Sequence, residues 1–110
     1  MTVVLDTNIV ASATYWRGKP AHCLEAWALG KFELAISHAI LREYEEVVLR
    51  LAARYPQKKP TEWLAAIKQS GHLYLPAGSV IVTADPDDQM FVDCAVAARA
   101  NYLVSGERRT

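Results

Sequence analysis

The sequence predicts an α/β fold with a mainly parallel central sheet flanked by helices. Short apolar runs alternate along the chain with longer segments of helical periodicity, which is typical of strands joined by helical crossovers. Capping residues and prolines mark the starts of several of these helices. The chain has 110 residues, of which 52% are hydrophobic. This length supports one hydrophobic core, so we expect a single domain over residues 1–110.

The first elements are predicted from apolar runs and helix-ending signals. Val3–Leu5 is a fully apolar run and is predicted as the first strand, followed by a brief helix over Ile9–Tyr15. A proline at the first helical position and Gly30 after the last predict a second helix over Pro20–Leu29. The run Phe32–Ile36 then predicts the second strand.

The middle of the chain is predicted to contain two helices joined by a polar connector. Ser37 is a favourable N-cap for a long helix that runs to about Arg54. Residues 55–60 are polar and bracketed by prolines, which is typical of a loop. Thr61 is expected to cap a further helix that ends near Ser70.

The last third is predicted to contain three short strands and one helix. His72–Leu75 and Val80–Thr83 are interpreted as strands on either side of a turn. Asp85, followed by a proline, is expected to cap a helix that ends near Ala100. Tyr102–Val104 completes the predicted sheet.

The composition limits the class of protein. No apolar run approaches the about 20 residues needed to span a bilayer, and no basic stretch precedes the first apolar residues. Cys23 and Cys94 lack metal-binding spacing, so we expect reduced thiols in a cytoplasmic protein. The formal net charge is zero, with 12 basic and 12 acidic residues. This balance argues against nucleic-acid binding through bulk charge, but leaves a local basic patch open.

Acidic residues follow two predicted strands and open the last helix. Asp6 follows the first strand, Glu107 follows the last, and Asp87 and Asp88 lie at the helix start. The carboxyl ends of parallel strands share an edge with the starts of the following helices, and ligands bind there. Carboxylates gathered at one edge repel each other unless a hard cation such as Mg²⁺ or Mn²⁺ lies between them. The pattern indicates metal-dependent phosphodiester chemistry.

Each acid also has a structural interpretation. Asp6 could be the N-cap of the next helix, although Asn8 can supply that cap. The helix dipole alone favours acids in the first turn, and spacing does not distinguish Asp87 from Asp88. Glu107 could be an exposed acid near the C-terminus.

Glu43 is selected by its position on the long helix. The apolar stripe of that helix consists of Ile40, Tyr44, Val47, Val48 and Leu51. At about 100° per residue, Glu43 lies about 80° from the centre of this stripe and borders the core. The alternative is a surface glutamate paired with Arg42 or Arg50.

Four motifs carry a resemblance to a known family. They are Val-Leu-Asp-Thr-Asn at 4–8, Ser-x-x-x-Leu-x-Glu-Tyr at 37–44, Asp-Pro-Asp-Asp-x-x-Phe at 85–91 and Tyr-Leu-Val-Ser-Gly-Glu at 102–107. In this order and spacing the chain resembles the PIN domains of bacterial toxin–antitoxin toxins. The resemblance implies a three-layer fold and four site acids at the positions Asp6, Glu43, Asp88 and Glu107. It selects Asp88 over Asp87 and adds Asn8 and Ser105 as supporting residues.

The same resemblance implies a function. It implies a cytoplasmic, metal-dependent endoribonuclease that uses Mg²⁺ or Mn²⁺, acts on RNA and is held by a cognate antitoxin. The family usually has aspartate where Glu107 stands, and usually continues through a further helix and strand, so we expect a fold abbreviated at its C-terminal end. The missing last elements, together with exposed aromatic residues, favour a homodimer. These departures support an alternative: a catalytically impaired PIN-like module that binds protein or RNA. A phosphatase is a weaker alternative, because it would need an aspartate where Asn8 stands.

Two further groups of residues bear on RNA binding. The densest basic cluster is Arg50, Arg54, Lys58 and Lys59, which could contact phosphates or simply be a solvated connector. The tryptophans could stack on bases or pack in the core, and they are Trp16, Trp27 and Trp63.

Overall fold

A computed structural model describes residues 1–106, and its centre is a four-stranded parallel sheet. The strands are β1 (Thr2–Leu5), β2 (Glu33–Ile36), β3 (His72–Leu73) and β4 (Tyr102–Val104). Their order across the sheet is β3-β2-β1-β4, and every neighbouring pair is parallel. The predicted α/β class is therefore confirmed, with the buried strand β1 at the interior of the sheet.

Five α-helices accompany the sheet within residues 1–106. They are α1 (Thr7–Tyr15), α2 (Lys19–Ala28), α3 (His38–Arg54), α4 (Trp63–Ser70) and α5 (Gln89–Ala98). Helix α1 packs against α2, α3 and α4, whereas α5 packs against β1, β2 and β4 and also reaches α3. Among the described residues, no helix is both long enough and apolar enough to cross a bilayer.

The long helix α3 begins and ends where its sequence predicts. The Ser37 hydroxyl accepts a hydrogen bond from the Ile40 N–H at 3.2 Å, which satisfies one of the free amides of the first turn. Ile40 and Tyr44 are fully buried on its apolar stripe. The stripe therefore fixes which face of α3 meets the core and which face Glu43 occupies.

The start of α4 differs from the expected one. The helix begins at Trp63, and Glu62, not Thr61, stands at its N-cap without a side-chain capping bond. The Thr61 N–H instead donates to the Thr14 carbonyl at 2.8 Å, so this residue ties the connector to α1. The prediction of a Thr61 cap was wrong because a tertiary backbone bond fixes the residue's conformation.

The predicted strand Val80–Thr83 is absent from the described structure. The segment is bound by one side chain: the Gln89 amide donates to the Ile81 carbonyl at 2.7 Å and accepts from the Thr83 N–H at 3.0 Å. Two of its backbone groups are thus satisfied without a neighbouring strand. The predicted strand His72–Leu75 is also shorter, ending at Leu73, although the Tyr74 N–H still donates to the Ile36 carbonyl.

The helix expected after Asp85 is divided in two. Asp85 does act as a cap, because its carboxylate accepts from the Asp87 N–H at 2.9 Å. The capped element is a single 3₁₀ turn, Pro86–Asp88, and the α-helix α5 starts only at Gln89. This arrangement gives Asp87 and Asp88 separate directions at the start of α5.

The core lies between β1, β2 and the helices. Its largest fully buried side chains are Tyr44, Leu5, Leu24, Leu34, Ile40, Ile67, Val4, Val10 and Cys94. Gly71 makes the close approach of α4 to β2 possible, since a Cβ there would lie 2.7 Å from the Ile67 carbonyl oxygen and 2.8 Å from Ile36 Cδ1.

Candidate active site

Asp6 is the centre of the candidate site. It directly follows β1 and is only 9% exposed. One carboxylate oxygen accepts from the Ile9 N–H at 3.1 Å, and the other accepts from the Gly106 N–H at 3.2 Å. Asp6 is therefore the N-cap of α1, the role for which the sequence also offered Asn8. The two bonds fix the direction of the carboxylate before any ligand binds.

A cavity of about 380 Å³ opens beside Asp6. We call it the acid cavity, and its polar lining consists of Asp6, Thr7, Asn8, Glu43, Arg50 and Asp87. Val47, Met90 and Phe91 form the apolar part of its wall. Glu43 thus lies in the same cavity as Asp6, where the helical-wheel position on α3 predicted it to border the core. Neither Arg42 nor Arg50 forms an ion pair with Glu43 among the described residues.

A second cavity, of about 460 Å³, lies against Asp6 and is lined by the predicted residues Asp88 and Ser105. We call it the second cavity; Asp85, Asp88, Ser105 and Gly106 belong to its lining. Asp6 and Phe91 line both cavities. The structure therefore groups Glu43 and Asp87 on one side of Asp6, and Asp88 and Ser105 on the other.

Tyr44 connects the position of α3 to the end of β1. Its hydroxyl donates to the Leu5 carbonyl at 2.5 Å, one residue before Asp6 in the chain. Burial raises the pKa of the Tyr44 phenol strongly, and the nearby Cys94 and Asp6 raise it further. The phenol therefore stays protonated and keeps donating. Because Tyr44 is the neighbour of Glu43, this bond also sets where the Glu43 carboxylate enters the acid cavity.

Thr7 has an unusual polar atom beside the acid cavity. Its hydroxyl oxygen is buried and, among residues 1–106, has no hydrogen-bond partner. A buried polar group without a partner costs about 1–3 kcal/mol, so such a group is rare without a reason. The oxygen is closed off from solvent, so Thr7 borders the acid cavity with its other atoms. Nothing in the sequence singles out Thr7, since a threonine after a cap looks like an ordinary first-turn residue.

The donor set suits a hard divalent cation in its chemistry, because it consists of carboxylate and amide oxygens. In the described part of the chain, however, no three His, Cys, Asp or Glu side chains lie close enough together to hold a metal ion. The fourth predicted acid, Glu107, lies outside the described residues. Its neighbour Gly106 approaches the site closely, since a Cβ there would lie 3.2 Å from Asn8 Cβ.

Comparison with known protein families decides the family. The PIN domain matches residues 2–109, which is nearly the whole chain. The chain belongs to the PIN domain family. Neither the curated proteins nor the solved structures compared with the chain gave a match. The PIN domain is a nuclease-type fold.

Among residues 1–106, Arg50 is the one cation in the acid cavity lining. The sequence had placed it in the basic cluster and as a possible ion-pair partner of Glu43. Arg50 lies seven residues after Glu43 on α3, and this spacing puts both side chains on the same face of a helix. The signal was therefore present in the sequence. It was hidden because Arg50 also suited the role of an ion-pair partner for Glu43.

Proposed function

We propose that this PIN domain is a metal-dependent endoribonuclease and the toxin of a toxin–antitoxin system. The observation that supports cleavage best is the acid cavity: three carboxylates from separate parts of the chain, Asp6, Glu43 and Asp87, line it. A cavity of this polarity at the carboxyl edge of a parallel sheet is where an α/β enzyme binds its substrate.

The resemblance assigns Asp6, Glu43, Asp88 and Glu107 as the residues that would hold Mg²⁺ or Mn²⁺. When bound, such an ion lowers the pKa of a coordinated water and stabilises negative charge on the phosphate oxygens. Asp6 contributes a carboxylate that two backbone amides already orient. Glu43 reaches the same cavity from α3, whose position the Tyr44–Leu5 hydrogen bond fixes.

Other residues of the cavity would position the RNA. Arg50 can neutralise the phosphate next to the scissile bond, since it brings a positive charge to a lining that contains three carboxylates. Asn8 can donate to phosphate oxygens or to the attacking water. The supporting role proposed for Ser105 belongs to the second cavity, beside Asp88.

The test is a cleavage assay on single-stranded RNA in Mg²⁺ or Mn²⁺ with matched acid variants. We expect Asp6→Asn and Glu43→Gln to abolish cleavage, because each removes a charge from the proposed metal shell. Glu46→Gln is the control, since Glu46 is an exposed acid on the same helix. Equal activity of Glu43→Gln and Glu46→Gln would refute the role of Glu43.

Glu107 needs its own variants. If it is the fourth acid, Glu107→Asp should keep or raise cleavage, because the family usually has aspartate there, whereas Glu107→Gln should reduce it by removing the charge. If both variants and the wild type cleave RNA at the same rate, with and without metal, Glu107 does not have the proposed role.

The toxin role rests on the likeness of the four motifs to those of toxin PIN domains. It implies a cognate antitoxin protein and a cytoplasmic RNA target. We expect expression of the chain to arrest growth, and a small protein encoded by a neighbouring reading frame to relieve the arrest. An Asp6→Asn variant that arrests growth equally would separate toxicity from cleavage and contradict the proposal.

A homodimer is also proposed, because several apolar side chains are exposed. Val80 and Val82 are 81% and 80% exposed, and Tyr102 on β4 is 60% exposed. Light scattering at increasing concentration tests this: a dimer mass supports it, and a monomer mass at all concentrations contradicts it.

The second candidate is a PIN-like binding module that does not cut. It is favoured by one observation: Glu43 and Asp88 lie in different cavities on either side of Asp6. Titration with Mn²⁺ distinguishes the candidates. Mn²⁺ binding that Asp6→Asn abolishes supports the nuclease, and the absence of any carboxylate-dependent binding supports the module.

A further inference from the structure

A group of aromatic and basic side chains lies where α1 and α3 end. We call it the aromatic–basic cluster, and it consists of Trp16, Arg54, Tyr55 and Lys58. The Trp16 and Tyr55 rings meet edge to face with centroids 5.3 Å apart. The Lys58 ammonium lies 5.1 Å from the Trp16 ring centroid, and the Arg54 guanidinium lies 5.6 Å from that of Tyr55. Cations thus stand directly beside flat aromatic surfaces.

Trp16 differs from the other tryptophans in its exposure. It is 40% exposed, whereas Trp27 is buried and Trp63 packs against the core. The fold does not need the Trp16–Lys58 contact to hold the connector, because the backbone bond from Thr61 to Thr14 already ties that segment to α1. Part of the indole is therefore accessible to a ligand, and the Lys58 ammonium lies over its ring.

One face of α3 joins this cluster to the acid cavity. Glu43, Val47 and Arg50 all line the cavity, and they are spaced by four and three residues along the helix. Arg54 follows Arg50 after four more residues, so it lies on the same face one turn further. Glu43 and Arg54 are eleven residues apart, which is about 16 Å along the helix axis. A nucleic-acid strand that enters the acid cavity can follow this face to Trp16.

The chemistry of the cluster matches a single strand. An aromatic ring offers a stacking surface to an unpaired base, and adjacent Lys and Arg side chains contact the phosphates on either side. The bases of a duplex are already stacked on one another and do not offer a free face. Because the net charge of the chain is zero, local features of this kind must supply the affinity for RNA.

We propose that the aromatic–basic cluster is a subsite for single-stranded RNA, in which one unpaired base stacks on Trp16 while Arg54 and Lys58 contact the neighbouring phosphates. The strand then runs along α3 past Arg50 into the acid cavity. The inference deepens the proposed function and rests on it, since it names the form of RNA that the nuclease accepts: an unpaired segment that extends beyond the scissile phosphate.

The test measures binding apart from cleavage. The full chain is titrated, in EDTA, into a fluorescein-labelled single-stranded RNA of twelve nucleotides, and anisotropy reports the Kd. We expect Trp16→Leu to raise the Kd about 5- to 100-fold, because stacking contributes about 1–3 kcal/mol per base. Trp16→Phe should restore most of the affinity, which a purely structural role of the larger indole would not explain. RNA should also quench wild-type tryptophan fluorescence more than that of Trp16→Leu.

Charge variants provide the matched comparison. Arg54→Gln and Lys58→Gln should each weaken binding several-fold, whereas Lys31→Gln should leave it unchanged. Lys31 is exposed and lies two residues before the first residue of β2, at the opposite edge of the sheet from the acids. If Trp16→Leu does not fold, the Phe and Gln variants still decide the outcome. A perfect duplex of the same sequence should bind more weakly and be insensitive to Trp16.

Several results would overturn the subsite. One is a Kd that neither Trp16→Leu nor Lys58→Gln changes. Another is a loss of affinity in Lys31→Gln as large as that in Lys58→Gln. The third is duplex binding that depends on Trp16 as strongly as single-strand binding does. The failure of the proposed function looks different. A wild type that binds RNA through Trp16 but never cuts with Mn²⁺ keeps the subsite and refutes the nuclease, whereas cutting that no cluster variant alters keeps the nuclease and refutes the subsite.

Discussion

At the level of single residues, the Asp6 carboxylate serves both the fold and the site. It caps α1 and receives the Gly106 N–H, so it joins the start of one element to the segment after β4. The same carboxylate lines both cavities. A substitution can therefore separate the two roles only if it keeps the hydrogen-bonding shape while removing the charge.

Two variants of Asp6 should separate stability from activity. Asparagine is about as good an N-cap as aspartate and can keep the bond from the Ile9 N–H. Its amide nitrogen cannot accept from the Gly106 N–H, so Asp6→Asn should lose about 0.5–1.5 kcal/mol of the free energy of unfolding. Asp6→Ala loses the cap as well and should be about 0.5–2 kcal/mol less stable than Asp6→Asn. Urea unfolding without added metal measures both. Equal stability of the two variants would show that the observed cap contributes little.

Asp87 and Asp88 form a matched pair for locating the third acid. Both lie in the 3₁₀ turn that precedes α5, so removing either charge has a similar effect on the helix terminus. We expect Asp88→Asn to abolish RNA cleavage and Asp87→Asn to reduce it less, following the family position. A larger loss of cleavage in Asp87→Asn than in Asp88→Asn would place the chemistry wholly in the acid cavity, which Asp87 lines and Asp88 does not.

At the level of elements, strong local signals predicted the fold well. Ser37 fixed the start of α3, and the apolar stripe fixed its buried face, because capping and periodicity depend on residues close in sequence. The prediction of a strand over Val80–Thr83 was wrong because a strand depends on residues that are not close in sequence. Strand formation needs a partner, and here Gln89, six residues after Thr83, satisfies backbone groups that a neighbouring strand would otherwise bind.

The role of Gln89 predicts a change in local dynamics. Its side-chain amide forms hydrogen bonds with Ile81, Thr83 and Asp93 at 2.7–3.0 Å. Asp93 also accepts a hydrogen bond from the Ser79 hydroxyl. Without the Gln89 side chain, the segment can open without breaking these hydrogen bonds. Gln89→Ala should therefore speed amide hydrogen exchange at Thr83 and its neighbours. Gln69→Ala is the control, since Gln69 is exposed on α4. Unchanged exchange in Gln89→Ala would show that other contacts hold the segment.

At the level of the whole molecule, the fold was more predictable than the site. The motif order placed Asp6, Glu43 and Asp88 near one edge, because parallel strands and their helices share it. The unpartnered hydroxyl of Thr7 was not predictable, since it follows from packing and not from a pattern. The separation of Asp87 from Asp88 depends on the 3₁₀ turn, whose geometry the sequence does not distinguish from a first α-helical turn.

The buried phenol of Tyr44 predicts how stability depends on pH. Burial raises its pKa in the folded state above the value of about 10 in the unfolded chain. The unfolded state therefore loses this proton first, and stability that is fully present below pH about 10 falls as the pH rises further. The Cys94 thiol, with its pKa raised by burial to about 11, acts in the same direction.

Tyr44→Phe should remove the tyrosine part of this dependence. Between pH about 10 and 11 the variant should lose less free energy of unfolding than the wild type, by up to about 1.4 kcal/mol per pH unit. At pH 7 it should be about 1 kcal/mol less stable, because the bond to Leu5 is lost. Tyr102→Phe is the control, as Tyr102 is 60% exposed. Parallel pH curves for the wild type and Tyr44→Phe would contradict the prediction.

The neutral net charge predicts a shallow salt dependence of RNA binding. If affinity comes from a local row of cations, at most Arg50, Arg54, Lys58 and Lys59 neutralise phosphates, since the rest of the charge is balanced. For a single strand, four contacts give a slope of log Kobs against log salt of about −3, and Lys58→Gln should make it shallower by about 0.7. Anisotropy titrations from low to high KCl in EDTA measure both slopes. A slope of about −5 or steeper would mean that RNA contacts cations beyond this row, and a slope that Lys58→Gln leaves unchanged would remove Lys58 from the path of the strand.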